Sequence, residues 1–493
     1  MIAGGCKSKK SSLDAVQDAA VTISKKDFGD IGDLLKVPAR DVSTADAETA
    51  LKAVGLWDES NKISWDSRSG DKGTYKFKNV SITPPKGETV KIKTLTLAGL
   101  HMANETPLAD LITLSDLSIT DDDASLTVEN MGLTGVVMAD NLGSLDDLTD
   151  LDSKSVVISG AKMRGEDGQT KVDFDIDNLG WGLDPKDNYL RAAVKNISFN
   201  ATGRDAMSLK LTSANMRGLA PAVDSSSATL SNLSDPDGFL KLLGENQQLG
   251  DAEITGFEVD GDFFSIRLPK FTQTAKEKGK VTHVDFDMPA LTVSIQEEDA
   301  PASAKQHVEI IQSLGFDEMK FSSKGQTEIN VAADLMKMKA ISFDLQDGFD
   351  LNYSGEIEGF GAVQALGANA PVADIQAAQS EIKIHDFSLS LEDKSIVERG
   401  FNLAGKMTGQ TPKNLRRQAN GILALGSLAA LTQDDGAIYS EFTKALGVFI
   451  QDGGTFNISL KPETPLSVSD FESLSQGKKP DLKRLGFSAS TTQ

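Results

Sequence analysis

The side chains that most often carry out acid-base or metal chemistry are sparse in this sequence. Its 493 residues include a single cysteine, Cys6, and four histidines, His101, His283, His307 and His385. The histidines show no HExxH or comparable metal-ligand spacing, and one cysteine excludes a zinc site built on paired thiolates. Isolated histidines are usually surface or hydrogen-bonded residues. We therefore predict no catalytic residue, no bound metal and no cofactor.

Motifs for nucleophilic and nucleotide chemistry are missing as well. The sequence contains no GxSxG elbow, no GxxxxGK[ST] loop and no GxGxxG after a predicted strand. Two acidic clusters, in residues 121–123 and 146–152, could be read as calcium sites, but neither has the alternating ligands and central glycine of an EF-hand loop. Solvated turns are the simpler interpretation in so acidic a chain. An enzyme is the least supported class, and we predict a protein without catalytic activity.

Composition excludes further classes of partner. Lysine and arginine total 50 against 72 aspartates and glutamates, and the resulting net charge of -22 repels phosphate backbones. Aromatic residues make up 6% of the chain, which is few for stacking on sugars or bases. The most apolar segment, residues 422–431, has about half the length that spans a bilayer. We predict a folded protein with no nucleic-acid partner.

One pattern of eight residues, here called the octet, recurs along the chain: apolar, polar, apolar, polar, polar, apolar, polar, apolar. On a helix these apolar offsets point in scattered directions, so the octet is not helical. Independent placement at this composition would yield about two matches, whereas nine segments match. The nine octets begin at Tyr75, Val90, Ile112, Leu126, Phe174, Leu209, Ala252, Leu314 and Ile382.

On a β-strand, the extra polar residue of the octet would send its second half to the opposite face. A β-bulge removes this conflict, because one inserted residue shifts the pleat and keeps all four apolar side chains on one side. The residues at the insertion, as in pairs 78–79, 115–116 and 255–256, are rich in Asn, Asp and Gly, which tolerate the dihedral angles required. The alternative is a strand that switches between packing layers. Both interpretations predict a mainly β protein of long, bulged, curved antiparallel sheets.

Few helices are predicted, and they lie between the blocks of strands. Capping residues and apolar spacing indicate short helices near residues 43–54, 236–243 and 301–313, and a C-terminal helical hairpin over residues 411–450. The apolar stripe of the hairpin has two interpretations. The commoner cause of such a stripe is burial against the end of a sheet, and the alternative is docking on a partner.

The first residues contain a candidate site for lipid attachment. Ala3-Gly4-Gly5-Cys6 resembles the lipobox of bacterial lipoproteins, in which small residues precede a diacylated cysteine, although Ala3 stands where that family prefers leucine. The polar residues 7–12 are typical of a tether. The resemblance implies acylation of Cys6, a signal peptide that starts upstream of Met1, and a periplasmic protein anchored to the outer membrane. A free thiol in an unstructured tail is the alternative.

The succession of bulged strands over residues 70–405 resembles, in its pattern of elements, the periplasmic repeating-β lipid-transfer proteins of the AsmA kind and, more loosely, tubular lipid-binding domains. The resemblance implies that a curved apolar β surface shelters acyl chains from water. It implies lipid binding, lipid transport or support of envelope assembly, with phospholipid or another acyl lipid and envelope proteins as partners. The alternative is a structural envelope protein with a closed, dry core. The candidate lining residues are Val90, Ile92, Leu114, Leu117, Ile254, Phe257, Phe286, Ile384 and Phe387.

These features divide the chain into five predicted regions. Residues 1–60 hold the lipobox-like tail, the tether and N-terminal helices, residues 61–235, 236–300 and 301–405 are three β-rich regions, and residues 406–493 hold the helical hairpin, a closing strand and a mobile tail.

Overall fold

A computed structural model divides the chain into two compact units, unit 1 (Met1–Gln248) and unit 2 (Leu249–Gln493). The division falls near the predicted boundary at residue 235. Strands dominate both units, which confirms the predicted mainly β class. The structure describes residues 29–37, 40, 42–60, 62–83, 88–121, 123–138, 153–184, 189–203, 206–221, 250–296, 300–361, 371–430, 436–467 and 484–493.

The strands of unit 1 form an antiparallel meander. From β6 to β11 each strand pairs with the next one in the chain, and β3, β4 and β6 continue the same order. The short strands β1 and β2 pair with β3, and β5 pairs with the start of β6. The strands are β1 Ile63–Ser64, β2 Ser67–Asp71, β3 Thr74–Ile82, β4 Val90–Ala98, β5 His101–Ala103, β6 Thr106–Thr120, β7 Ala124–Val137, β8 Ser155–Asp167, β9 Thr170–Leu183, β10 Tyr189–Thr202 and β11 Met207–Pro221.

Two short elements cover opposite faces of the unit 1 sheet. Helix α1 (Thr44–Ala53) begins at the predicted cap, where the Ser43 hydroxyl accepts a hydrogen bond from the Asp46 amide. A 3-10 helix (Gly29–Leu35) packs on the other face. It approaches so closely that a Cβ at Gly180 would lie 2.4 Å from the Ile31 side chain. The helix α1 therefore packs on one face of the sheet, and the 3-10 helix packs on the other face, where it joins Ala98, Leu111 and Val157 in one core cluster.

Unit 2 continues the same architecture with its own strands. Strands β12 to β18 pair in chain order, β18 also pairs with β19 and β20, and β19 pairs with β21, all antiparallel. The strands are β12 Asp251–Gly261, β13 Phe264–Lys278, β14 Val281–Ile295, β15 Glu318–Asn330, β16 Leu335–Leu345, β17 Phe349–Glu358, β18 Lys383–Asp393, β19 Gly454–Leu460, β20 Leu466–Ser467 and β21 Phe487–Thr492.

The helices of unit 2 lie in the connections between its strands. The predicted helix near residues 301–313 is confirmed, and it ends just before Gly315, whose φ of 79° is left-handed. The predicted helical hairpin is confirmed too, and the helix predicted at residues 236–243 lies outside the described residues. The helices are α2 Ala302–Ser313, α3 Val372–Ser380, α4 Ile396–Thr408, α5 Pro412–Ala430 and α6 Gly436–Asp452, with a 3-10 turn at Val331–Ala333.

Eight of the nine octets lie in strands. Where the octets are buried, their apolar side chains share one face as predicted, although the irregularity is a skipped pair on both strands rather than one inserted residue. In β3, the side chains of Tyr75, Phe77, Val80 and Ile82 all belong to one core cluster, so the strand does not switch layers. The exception is the octet that begins at Leu314. Its first half follows the end of α2 and turns into β15, because Gly315 terminates the helix within the pattern.

The irregularities of unit 1 line up in one row across the sheet. Every strand pair from β3 to β11 skips one pair of residues at the same place, so the register on either side is unchanged. Alternate strands adopt a left-handed conformation there, which Asn, Asp and Gly tolerate best. The left-handed residues of this row are Asn79, Asp116, Gly160 and Asn196, with φ of 51°, 50°, 61° and 49°.

The C-terminal segment differs from the prediction of a mobile tail. Residues Phe487–Thr492 form β21, which pairs with β19 along its whole length. Ala489 is buried in a cluster with Phe456 and Phe449. The alternation of FSASTT has too few large apolar residues to predict a strand, and the neighbouring strand and α6 supply the rest of the packing. The tail prediction is therefore wrong for these residues.

Candidate functional site

The octets of unit 1 are in register, so their apolar positions form continuous rows across the sheet. Residues paired across adjacent strands share a face, and the rows therefore build one surface, here called the apolar face of unit 1. One row crosses eight strands and consists of Phe77, Leu95, Leu114, Met131, Ile158, Leu179, Val194 and Ala214.

Over strands β3 to β7 the chain itself covers the apolar face of unit 1. Leu51 of α1 and the following Leu56 lie in one core cluster with these strands. This part of the face is a closed core, which agrees with the alternative of a dry, packed sheet, and a ligand could reach it only if α1 moved. Four predicted lining residues lie here, Val90, Ile92, Leu114 and Leu117, each at most 9% exposed.

The apolar side chains of strands β8 to β11 of unit 1 are less completely buried than those of β3 to β7. Val194, Ile197 and Phe199 in β10 are half-buried, although they continue the same rows. Met163 in β8 is 43% exposed. The apolar face of unit 1 therefore changes from a closed core at β3 to a partly open surface at β8 to β11.

Unit 2 carries a second apolar surface, here called the apolar face of unit 2. Its Phe286 ring packs over Gly325 of the next strand, where a Cβ would lie 2.4 Å from the ring. The five predicted lining residues of unit 2, Ile254, Phe257, Phe286, Ile384 and Phe387, are all half-buried. One row of this face consists of Phe286, Gly325, Ile341, Tyr353, Leu389, Ile458 and Ala489.

The apolar face of unit 2 runs into a cleft beneath helix α2, here called the α2 cleft. Its volume is about 460 Å³, which lies within the usual range of small-molecule pockets. Val293 pairs with Ile266 and Ile295 with Phe264, so the floor of the cleft continues the rows of the sheet. The lining consists of Phe263, Phe264, Val293 and Ile295 from the sheet region, and Ala304, His307, Val308 and Ile311 from α2.

A second concavity, of about 860 Å³, opens on the opposite, hydroxyl-rich face of unit 2. The sequence predicts that apolar side chains line the concave side of the sheet. This concavity is lined mostly by serine, asparagine and charged residues instead. Of the predicted lining residues, Phe286 alone borders it. One polar row along it consists of Lys324, Ser342, Asn352, Ser390, Asn457 and Ser490.

The histidines are dispersed among these elements rather than gathered at one site. His307 is exposed at the mouth of the α2 cleft. The other three take part in side-chain hydrogen bonds or ion pairs, namely Arg40–His101 at 2.5 Å, His283–Glu328 at 3.0 Å and His385–Glu358 at 2.9 Å. Within the described ranges no group of three or more His, Cys, Asp or Glu could hold a metal ion.

A charge cluster joins three strand ends in unit 2. The Lys394 ammonium lies 2.6 Å from Asp344 and 2.9 Å from Asp350, and these hydrogen bonds raise the pKa of Lys394 above its ordinary value. The two carboxyls face each other across β16 and β17. Hydrogen bonding between them lowers the pKa of Asp344 and raises that of Asp350. The cluster therefore fastens the β16–β17 turn to the end of β18.

Several predicted features lie wholly or partly outside the described residues. Cys6, the tether and the acidic cluster of residues 146–152 are among them. The other acidic cluster forms the turn between β6 and β7, where the Asp121 amide donates a hydrogen bond to the Ala124 carbonyl, and Asp122 is not described. In the part of the chain that the structure describes, no helix is both long and apolar enough to cross a membrane.

The α2 cleft was not predicted, although its signal is present in the sequence. Ala304, Val308 and Ile311 follow the i, i+4, i+7 spacing of an apolar helix stripe. These helix residues do not belong to any octet, because the octet is a strand pattern. Phe264, Val293 and Ile295 lie outside the octets too, since their strands alternate without the inserted polar residue.

A family model described as an uncharacterized protein matches residues 342–492, from within β16 to the last residue of β21. The matched segment includes the helical hairpin and less than a third of the chain. The search of curated proteins finds no match.

Proposed function

We propose that this protein is a non-enzymatic cell-envelope lipoprotein that binds or shuttles acyl lipid through the partly open apolar surface of its sheets. The observation that carries the proposal is the α2 cleft, an apolar space of about 460 Å³ that continues the rows of the apolar face of unit 2. The neighbouring residues Phe257 and Ile254 are half-buried. An acyl chain that enters beneath α2 has an apolar path along the strands.

The energy for such binding comes from desolvation alone. Each methylene removed from water contributes about 0.8 kcal/mol, so no catalytic or charged residue is needed in the cleft. Lined by Phe264, Val293 and Val308 among others, the cleft presents mainly carbon atoms to a ligand. Affinity should therefore depend on chain length rather than on the head group.

The first experiment measures binding of soluble fatty acids by displacement of a fluorescent acyl probe, without vesicles. We expect affinity to fall about fourfold for each methylene removed from the competitor. Replacement of Ile311, which lines the cleft, by tryptophan should fill the space and weaken binding at least about tenfold. Ile310→Trp is the matched control, because Ile310 is 37% exposed on the same helix and does not line the cleft.

Two results would contradict the cleft assignment. One is equal binding by wild type and Ile311→Trp, and the other is an affinity independent of chain length. Native purification adds a second measurement, since lipid bound in the cell should be recovered by solvent extraction in a stoichiometric amount.

A structural envelope protein is the second candidate, and the closed core over β3 to β7 favours it. Phe77 and Val90 are fully buried there, so this part of the sheet needs no ligand to exclude water. A lipid-free extract together with no binding of the acyl probe would support this alternative.

The periplasmic location and outer-membrane anchor are also part of the proposal. Ala3-Gly4-Gly5-Cys6 supports them, because small residues before a cysteine are required for lipoprotein processing. Mass spectrometry of the N-terminal peptide from the native host should find a diacylated Cys6 as the first residue. An unmodified thiol would remove the anchor from the proposal and leave the cleft untouched.

A further inference from the structure

Helix α5 shows its apolar residues to solvent. Ile422, Leu425 and Leu428 are 71%, 69% and 63% exposed. They recur at every third residue, so they lie along one side of the helix over about 9 Å of its length. A helix on the surface of a globular protein normally turns such residues inward. Among the described leucine and isoleucine residues, the other exposed one is Ile310 of α2, at 37%.

The side of α5 that faces α6 is mixed: it includes Leu423 and Ala424, and it makes polar contacts with α6. The Arg416 guanidinium donates a hydrogen bond to the Gln451 carbonyl at 3.0 Å, and the Ser427 hydroxyl donates to the Ser440 hydroxyl at 3.0 Å. The apolar residues of α6 are used elsewhere, since Phe449 packs on Phe456 of the sheet. The hairpin therefore confirms core burial for α6, while α5 contacts α6 through a mixed polar and apolar side and leaves Ile422, Leu425 and Leu428 exposed.

The charge of this region is opposite to that of the whole chain. Segment 396–430, which comprises α4 and α5, contains five basic residues and one acidic residue, Glu398, for a net charge of +4 in a protein of net charge -22. Two of the basic residues, Lys413 and Arg417, are exposed in the first turns of α5. At about 100° per residue they project from the same half of the helix as Leu425 and Leu428.

We propose that α5 docks on the surface of a lipid bilayer that contains anionic phospholipid. Ile422, Leu425 and Leu428 enter the boundary between head groups and acyl chains, and Lys413 and Arg417 contact lipid phosphates. Basic amphipathic helices bind membranes in this way, lying in the interface with the apolar side about 5–10 Å deep. The positive charge selects an anionic bilayer over an apolar protein surface as the occupant. This docking site is distinct from the α2 cleft and does not depend on it.

The test is flotation of the full-length protein with vesicles of phosphatidylcholine alone or of phosphatidylcholine with phosphatidylglycerol. Every variant also carries Cys6→Ser, so that no acyl anchor contributes. We expect binding to the anionic vesicles that weakens as salt is raised. Leu425→Ser with Leu428→Ser should reduce it at least about tenfold. Lys413→Gln with Arg417→Gln should reduce it about thirtyfold on anionic vesicles, since each basic residue near the surface contributes about 1 kcal/mol.

The matched control is Lys305→Gln with Ile310→Ser, an exposed basic and an exposed apolar residue on α2. These substitutions should leave vesicle binding unchanged. The substituted side chains of α2 and α5 are all exposed, and thermal unfolding checks that each variant remains folded. Binding of soluble acyl probe, measured without vesicles, should be unaffected by the α5 variants, so failure of this proposal and failure of the α2 cleft are distinguishable.

Three outcomes would overturn the proposal. One is no vesicle binding by the full chain, the second is equal binding with and without phosphatidylglycerol, and the third is unchanged binding by the α5 variants. Sedimentation analysis without vesicles tests whether a second copy of this chain covers the exposed side of α5 instead. A wild-type dimer that Leu425→Ser with Leu428→Ser converts to monomers would assign the surface to a second copy of this chain instead.

Discussion

The same strand pattern has different surroundings in the two units. Over β3 to β7 of unit 1, the octet side chains form a closed core with α1, and Phe77 is 0% exposed. In unit 2, Phe257 and Phe387 stand at the sixth position of their octets, where β3 has the buried Val80, and they stay half-buried. An octet thus specifies which side of a strand is apolar, and the elements that pack on that side decide whether it is core or open surface.

The two units also bend their strands differently. Unit 1 aligns left-handed residues in one row, and the register is preserved across it. Unit 2 has a left-handed residue at Gly256 in β12, where the register is also preserved, but the strand pairs from β13 to β18 shift register, for example between Met288 and Leu291 and between Glu356 and Ile357. Both devices keep apolar side chains on one face. The left-handed row requires Asn, Asp or Gly, whereas an inserted residue has no such requirement.

The largest predicted effect separates closed core from open face. Phe77→Ala should destabilise unit 1 by about 3–5 kcal/mol, because it leaves a cavity in a fully packed cluster beside Trp65. Phe257→Ala should cost about half as much, since its side chain already contacts solvent. Denaturant unfolding measures both. Equal losses would mean that the two faces are equally covered in solution.

The next prediction concerns the left-handed row. Asn196→Val and Asn196→Gly both remove the 2.7 Å hydrogen bond to Asp177, so their difference reports the backbone conformation. Because φ at this position is 49°, the valine variant should be less stable than the glycine variant by about 1–2 kcal/mol. The same pair of substitutions at Thr212, the opposing position without a left-handed φ, is the control. At Thr212 the valine variant should be at least as stable as the glycine variant. If the glycine variant is the more stable one at both positions, the result would argue against the left-handed row.

The charge cluster of unit 2 predicts a pH-dependent effect. Lys394→Met should destabilise the protein by about 1 kcal/mol at neutral pH, because the pair is about one-third exposed and solvent screens it. The raised pKa of Asp350 means that this carboxyl is protonated first on acidification. Protonation of Asp350 removes its repulsion of Asp344, which Lys394 offsets in the wild type. The loss of stability caused by Lys394→Met should therefore shrink as the pH falls through the raised pKa of Asp350.

The lysine itself does not titrate in this range. Its folded pKa is raised above 10.5, so its contribution is complete below that value and is lost only as the pH rises through the raised pKa. The lowered pKa of Asp344 acts in the opposite direction, since its contribution is present above the ordinary carboxyl range and is lost on acidification. A loss for Lys394→Met that is constant from pH 4 to pH 7 would contradict the assigned cluster.

The smallest predicted effect is a gain. No atom lies within 4 Å of the position that a Cβ would take at Gly421 of α5, and alanine has a higher helix propensity than glycine. Gly421→Ala should therefore stabilise the hairpin by about 0.5–1 kcal/mol. Thermal unfolding measures it. Gly447→Ala in α6 should increase the stability of the hairpin by a smaller amount, because there a Cβ would lie 3.4 Å from the Asn420 side chain.

The sequence alone determined the mainly β class and, for the strands that carry octets, the apolar side and the place of the backbone irregularity. Eight octets lie in strands, and Asn79, Asp116 and Gly256 adopt left-handed conformations within them. These features are local, since they follow from side-chain alternation and from the dihedral angles that each residue type tolerates. Local chemistry is also sufficient for the cap at Ser43 and the termination at Gly315.

Only the tertiary structure decided which apolar residues are accessible. Val90 and Phe257 both lie in octets, yet Val90 is buried in the core cluster that includes Leu51 of α1, whereas Phe257 is half-buried. For the same reason, the sequence does not specify that the apolar residues of α5 face solvent or that α2 leaves a cleft over the sheet. Whether an apolar side chain is buried depends on elements distant in the chain that pack on it, and no periodicity within one segment records that contact.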